Sequence, residues 1–187
     1  MGPPRAGFVR NALGSLAVLG VVAIIAFGLP LLNRLLPADR PVADSAPYRV
    51  GAGVTVVPPP GAHLDLTRTR PGDARGTVLF LAAGVRLVLV VTPFSGTLTQ
   101  GADRLRSKIT KSAGYQVTVG ERPVRTEQGV PGVRGAYSSP GRVGEYAVFV
   151  ADDLSVEVTV SGPESRLREA SGVLDRSLRS VTFGGGP

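Results

Sequence analysis

From Ala12 to Leu32 the chain carries no charged side chain, and leucine, valine, isoleucine and alanine dominate the run. At about 1.5 Å of rise per residue, a helix of this length covers the ~30 Å hydrocarbon core of a bilayer. A backbone in lipid must satisfy its own hydrogen-bonding groups, so one isolated segment can cross only as a helix. The sequence therefore predicts a transmembrane helix over residues 12–34, with Pro30 marking where it can unwind into the interface. Arg5 and Arg10 precede the run with no acidic residue, whereas Arg34 and Arg40 beyond it are balanced by Asp39 and Asp44. The positive-inside bias places residues 1–11 in the cytoplasm and everything after the span outside it, in the cell membrane and envelope.

A cleaved secretory signal is the rival reading. It calls for an apolar region of about 7–15 residues ending near a small-residue cleavage site. Here the run is longer, and Ala43-Asp44-Ser45 lies well past its end, so the sequence favours an uncleaved signal-anchor. No Gly, Ala or Ser in the run has another small residue four positions on. The close-packing seam of paired membrane helices is therefore missing, and the segment reads as a tether. Residues 35–49, with Pro37, Pro41 and Pro47 among small residues and balanced charges, read as an extended linker.

Residues 50–183 then have the length of one ordinary domain, enough to enclose a core without cross-links. The chain contains no Cys, which excludes a thiol nucleophile and cysteine-based metal sites. Its net charge is +7, with 19 Arg and 2 Lys. Basic residues are scattered and not interleaved with aromatics, so a nucleic-acid surface is not indicated. Lipid headgroups, an acidic wall polymer or another envelope protein are the partners this charge and address suggest.

Within the domain, alternation of apolar and polar residues points to strands. Leu154, Val156, Val158 and Val160 alternate with Ser155, Glu157 and Thr159, predicting one face in a core and the other in water. Tyr115, Val117 and Val119 repeat the pattern, with Gln116 and Thr118 outward. Val78–Leu81 and Val85–Val91 are almost continuously apolar, apart from Arg86, as expected of central strands covered on both faces. Turn chemistry punctuates these runs at Pro58-Pro59-Pro60-Gly61, Arg70-Pro71-Gly72-Asp73, Ala83-Gly84, Pro140-Gly141 and Asp152-Asp153. Two segments have helical spacing. In the first, Leu98, Ala102, Leu105 and Ile109 follow a Thr97/Gln100 capping box, and Gly114 is a stop signal. In the second, Leu167, Ala170, Leu174, Leu178 and Val181 form the stripe, and Ser161 and Glu164 flank Gly162-Pro163 at its start. The expected fold class is α+β: an N-terminal transmembrane helix, then a largely antiparallel sheet with two packed amphipathic helices, and a flexible tail at 184–187.

Strands leading to one amphipathic helix, then a meander, then a last helix ending in Leu174-Asp175-Arg176-Ser177-Leu178-Arg179-Ser180-Val181 resemble the PsbP-like superfamily, including its LpqN-type exported bacterial domains. The resemblance spans residues 50–183. Members often carry a Trp just after an early Pro-Gly, where this chain has Pro60-Gly61-Ala62-His63. The resemblance implies a non-enzymatic exported domain, an accessory or binding part of a larger assembly, with an antiparallel sheet between helices.

His63 is the only histidine, so histidine-dependent catalysis would have to use it. A hydrolase pairing it with an unidentified serine is an alternative, although no Gly-x-Ser-x-Gly elbow is present. One His and no Cys make a metal centre a poor fit, and Asp152-Asp153 reads as a hairpin turn. Gly51-Ala52-Gly53 lacks the helix that a nucleotide fingerprint needs. No cofactor is implied. Arg104, Arg106, Lys108 and Lys111 on the first domain helix form the one surface feature with functional content, a candidate site for an anionic surface. The sequence thus favours a membrane-tethered, non-catalytic accessory or binding domain, with a purely structural spacer as a further alternative.

Overall fold

The computed structural model describes residues 38–112 and 114–184. The expected cytoplasmic N-terminus and transmembrane span lie outside the described residues. Among the described residues no helix is long and apolar enough to cross a membrane.

The elements run in the order β1 (Asp39–Pro41), β2 (Tyr48–Gly51), β3 (Val54–Val56), β4 (His63–Asp65), β5 (Gly76–Ala82), β6 (Val85–Pro93), α1 (Leu98–Thr110), β7 (Gln116–Arg125), β8 (Pro131–Ser139), β9 (Arg142–Ala151), β10 (Leu154–Gly162) and α2 (Glu164–Arg179). Eight strands form one antiparallel sheet in the order β1-β4-β5-β6-β10-β9-β8-β7, and β2 and β3 form a separate hairpin. The domain is therefore α+β, with a fully antiparallel main sheet. Asp39–Pro41, expected within the linker 35–49, is a strand. Its backbone pairs with β4, Arg40 opposite Leu64, so exposed side chains with no alternation still gain a sheet position.

Hairpin turns fall where the sequence places them, and their dihedrals explain why. Ala83 and Gly84 (φ +50° and +79°) join β5 to β6, and Asp152 and Asp153 (φ +51° and +55°) join β9 to β10. Positive φ at both central residues is the twist-matched hairpin geometry, which Asp and Gly tolerate better than branched residues. Helix α1 starts as its capping box requires: the Thr97 side chain accepts from the Gln100 N–H, and the Gln100 side chain accepts from the Thr97 N–H. It ends at Thr110, before Gly114. Helix α2 starts behind Pro163 without a side-chain cap, since Ser161 is still part of β10.

The two helices pack on opposite faces of the sheet. Neighbouring residues of β9 divide between the two cores, which requires this because strand side chains alternate in direction. Ala147 and Phe149 join the larger core, closed by Ala170, Leu174 and Leu178 of α2 and by Val50, Val54 and Val56 of the hairpin. Tyr146 and Val148 join the smaller core beneath Ala102, Leu105 and Ile109 of α1. Each fully enclosed side chain of this size contributes about 1.5–3 kcal/mol. The hairpin lies so close to β5 that a Cβ on Gly76 would sit 1.9 Å from the Val50 carbonyl oxygen.

Three expectations about burial change. Ser155 and Glu157, expected in water, are 1% and 4% exposed, and the Lys108 and Arg104 side chains of α1 reach over to the Glu157 carboxylate. Helix α1 rests on β7, β8 and β9 and does not extend over β5 and β6. Consequently Leu81, Val88 and Val90 are only half-buried, and these strands are fully covered on the α2 face alone. Tyr115, expected inward, is 38% exposed ahead of the edge strand, with its ring tilted against Tyr137 at 5.8 Å between centroids.

Candidate functional site: the borders of the edge strand β7

Strand β7 is the long outer edge of the sheet, and an open edge is a template for another chain. This one is blunted. Between Thr118, opposite Ala136, and Arg122, opposite Arg134, three residues of β7 stand against the single Gly135 of β8. Gly120 in this bulge has φ +120°, and Pro123 has no N–H to donate. Glu121, Arg122 and Arg125 add exposed charge. Backbone pairing along the whole edge is interrupted, so recognition here falls to side chains, which line an open cleft on each face.

The cleft on the α1 side, about 610 Å³, is lined by Asp103, Arg106, Thr118, Gly120, Glu121 and Tyr146, among others. Tyr146 lies flat over Gly135, where a Cβ would meet its ring and hydroxyl at 2.4 Å. Its hydroxyl donates to Glu121 Oε1 at 2.6 Å. Burial, reinforced by donation to the Glu121 carboxylate, pushes the Tyr146 phenol well above its ordinary range. It is a fixed donor at neutral pH, and not a proton shuttle. Arg106 closes the chain, pairing with Asp103 and approaching Glu121 at 3.4 Å.

The cleft on the α2 side, about 540 Å³, is lined by Arg122, Pro123, Val124 and Arg125 of β7, Arg134 of β8, and Asp175 and Arg179 of α2. Arg134 is the anchor, its side chain 8% exposed. Its Nη1 donates to Asp175 at 2.9 Å and its Nη2 to Glu145, while its buried Nε–H has no partner among the described residues. Asp175 also receives Arg179 Nε at 2.9 Å, an i,i+4 pair on the helix. Arg125 donates to the Gly129 carbonyl at 3.0 Å.

The four basic residues read from α1 are not gathered on one target. Lys108 Nζ lies 2.6 Å from both Glu157 oxygens, and Arg104 Nε is 3.8 Å from the same carboxylate. Arg104 also lies over the Phe94 ring at 5.7 Å. Arg106 turns to the β7 cleft. Lys111, just past the helix end, is exposed and has no carboxylate partner among the described residues. Lys108 and Arg104 thus neutralise a carboxylate on the sheet face beneath them, a role their helical spacing does not reveal.

His63 sits at the opposite border of the sheet. Its Nδ1 is 3.0 Å from Asp39 Oδ2, and both side chains are 48% exposed. Among the described residues no serine hydroxyl is hydrogen-bonded to it. The α2-side cleft escaped the sequence reading. Its one visible signal is Arg134, a charge in the segment Val133-Arg134-Gly135 of β8, the strand that pairs with the one carrying Glu145.

No protein-family model matches the sequence, and no curated protein sequence does. Among solved structures, the chain is similar to the PsbP protein (CyanoP) of the cyanobacterium Synechocystis, with a TM-score of 0.51 at 15% identity, over 79% of this chain and 94% of that one. The Ran-binding protein Mog1p of Saccharomyces cerevisiae gives a TM-score of 0.48 at 12% identity, over 74% of this chain and 96% of that one. A sheet with helices on both faces, matched over nearly the whole length of the cyanobacterial protein, gives this domain a PsbP-like fold.

Proposed function

We propose that this chain is a membrane-tethered accessory domain of the cell envelope, standing outside the cytoplasm and engaging a protein partner through the side chains that border β7. The tether is residues 12–34 in the lipid bilayer. Their lack of charge and the basic flank before them support that address. The observation that carries the binding role is the blunted β7 edge with an open, charged cleft on each face. Partner recognition through fixed charges needs no nucleophile or cofactor, and the PsbP-like fold is compatible with such a role. The domain is thus non-catalytic in this reading.

Co-purification from solubilised membranes after crosslinking in intact cells tests it. A reproducible partner whose crosslinks map to β7 supports the proposal; no reproducible partner would leave a structural spacer as the better description. A reporter fused after Pro187 that proved cytosolic would overturn the address. The His63–Asp39 contact favours one competing reading, a hydrolase with a base and its orienting acid in place. Labelling by a serine-reactive probe that His63→Ala abolished would establish that reading instead.

A further inference from the structure

We infer that the cleft between β7, β8 and the C-terminal half of α2 is a carboxylate-binding site, filled by an acidic side chain on an extended segment of the partner protein. This rests on the protein-partner reading above and names the chemistry the partner must present.

The case begins with register. Arg122 and Arg134 are direct cross-strand partners, and like charges so placed repel. The nearby acids do not relieve Arg122. Glu145 is committed to Arg134, and Asp175 is shared between Arg134 and Arg179. Among the described residues Arg122 has no carboxylate within ion-pair distance. Arg134 is also incompletely satisfied, because its buried Nε–H has no acceptor among the described residues, and an unmade buried donor is costly. An anion entering the cleft would meet the repelling pair and supply the missing acceptor together.

Charge balance calls for an anion. Arg122, Arg125, Arg134 and Arg179 face Asp175 and Glu145, which leaves two positive charges in excess, since Arg125 donates only to the neutral Gly129 carbonyl. On an extended segment of a protein partner, the groups that neutralise this excess are carboxylates. Guanidinium forks also match the planar carboxylate closely. Pro123 and Val124 give the cleft an apolar wall for the aliphatic stem of a Glu or Asp. Because the bulge and Pro123 break the backbone edge, the segment is held by this side-chain contact and not as an added strand along the whole of β7.

The test uses the full chain in detergent micelles and dye-labelled hexaglutamate, read by fluorescence anisotropy across salt concentrations. Arg122→Gln and Arg179→Gln alter exposed side chains, so the fold should persist, with circular dichroism as the check. Each should weaken hexaglutamate binding about tenfold or more, the loss expected when one charge-assisted contact is removed. Arg168→Gln, on the outer face of α2 and away from the cleft, should bind as the wild type does. The inference is overturned if Arg122→Gln binds hexaglutamate unchanged, or if hexaglutamine binds equally well. It is also overturned if tripolyphosphate or phosphatidylglycerol vesicles bind through Arg122 and hexaglutamate does not. In cells, partners that persist undiminished with Arg122→Gln would reject the cleft while leaving the accessory role intact. Absence of any partner with the wild type would reject the accessory role, and hexaglutamate alone would then decide whether the cleft takes carboxylates.

Discussion

Replacing Lys108 by Met asks whether a basic residue on α1 belongs to the fold or to a surface. The Glu157 side chain is 5% exposed, and Lys108 Nζ lies 2.6 Å from its oxygens, so the variant strands a carboxylate beneath the helix. Removing one member of a buried pair typically costs about 3–5 kcal/mol. Two features reduce that figure here. Arg104 remains 3.8 Å from Glu157, and Lys108 is itself 46% exposed, so part of its attraction is already screened by water. We expect a loss of about 2 kcal/mol for Lys108→Met. The Lys108→Met/Glu157→Gln double variant, which leaves no unpaired carboxylate, should recover all but about 1 kcal/mol. Urea unfolding of the detergent-solubilised chain, followed by circular dichroism, reads both values. A single-variant loss below about 0.5 kcal/mol, the scale of an ordinary surface change, would refute the argument. So would a double variant no more stable than the single one.

Three further outcomes can be read independently. Gly135→Ala would press a Cβ to 2.4 Å from the Tyr146 ring; it should cost about 1–3 kcal/mol in urea unfolding, the usual range for overpacking. The Asp65 carboxyl is held below its ordinary range chiefly by the Thr67 hydroxyl, at 2.6 Å, against a smaller opposing effect of burial. Thr67→Val should therefore raise it in a carboxyl-carbon NMR titration. Because a lowered acid pKa stabilises the fold only above it, the stability gap between wild type and Thr67→Val should be widest at neutral pH and close in acid. Asp153→Gly relieves a non-glycine residue at φ +55° in the β9–β10 turn and should raise the urea midpoint, by up to about 1 kcal/mol of stability.

What the sequence reveals and what it hides separate along one physical line. Local periodicity and turn chemistry are written in neighbouring residues, so both helices, the Thr97/Gln100 box and the Asp152-Asp153 turn are legible. Which polar faces are covered depends on distant elements. Ser155, Glu157 and Thr159 alternate as a solvent face would, and only the placement of α1 over β8 and β9 shows why Glu157 needs Lys108 and Arg104. The short β1 strand is hidden for the same reason. Its residues are exposed, and only its backbone pairing with β4 places it in the sheet.

The α2-side cleft depends most on long-range register. With uninterrupted pairing from Thr118 opposite Ala136, Arg122 would face Gly132, and no pair of guanidiniums would form. The bulge puts three residues of β7 against Gly135 and carries Arg122 two positions along, opposite Arg134. It also leaves Glu121 on the other side of the strand, where the Tyr146 hydroxyl reaches it across the space that Gly135 leaves open. A single irregularity thus sets the charge of both clefts, which is the recognised use of a bulge to redirect side chains. Deleting Val119 and Gly120 discriminates between the two consequences. Regular pairing would then keep Arg122 opposite Arg134, while the connection between Tyr146 and Glu121 should change. Hexaglutamate binding should survive that deletion and the Tyr146 phenol should titrate differently. If binding disappears while the fold persists, the repelling arginine pair is insufficient to make the site, and the shape of the bulge itself must hold the ligand.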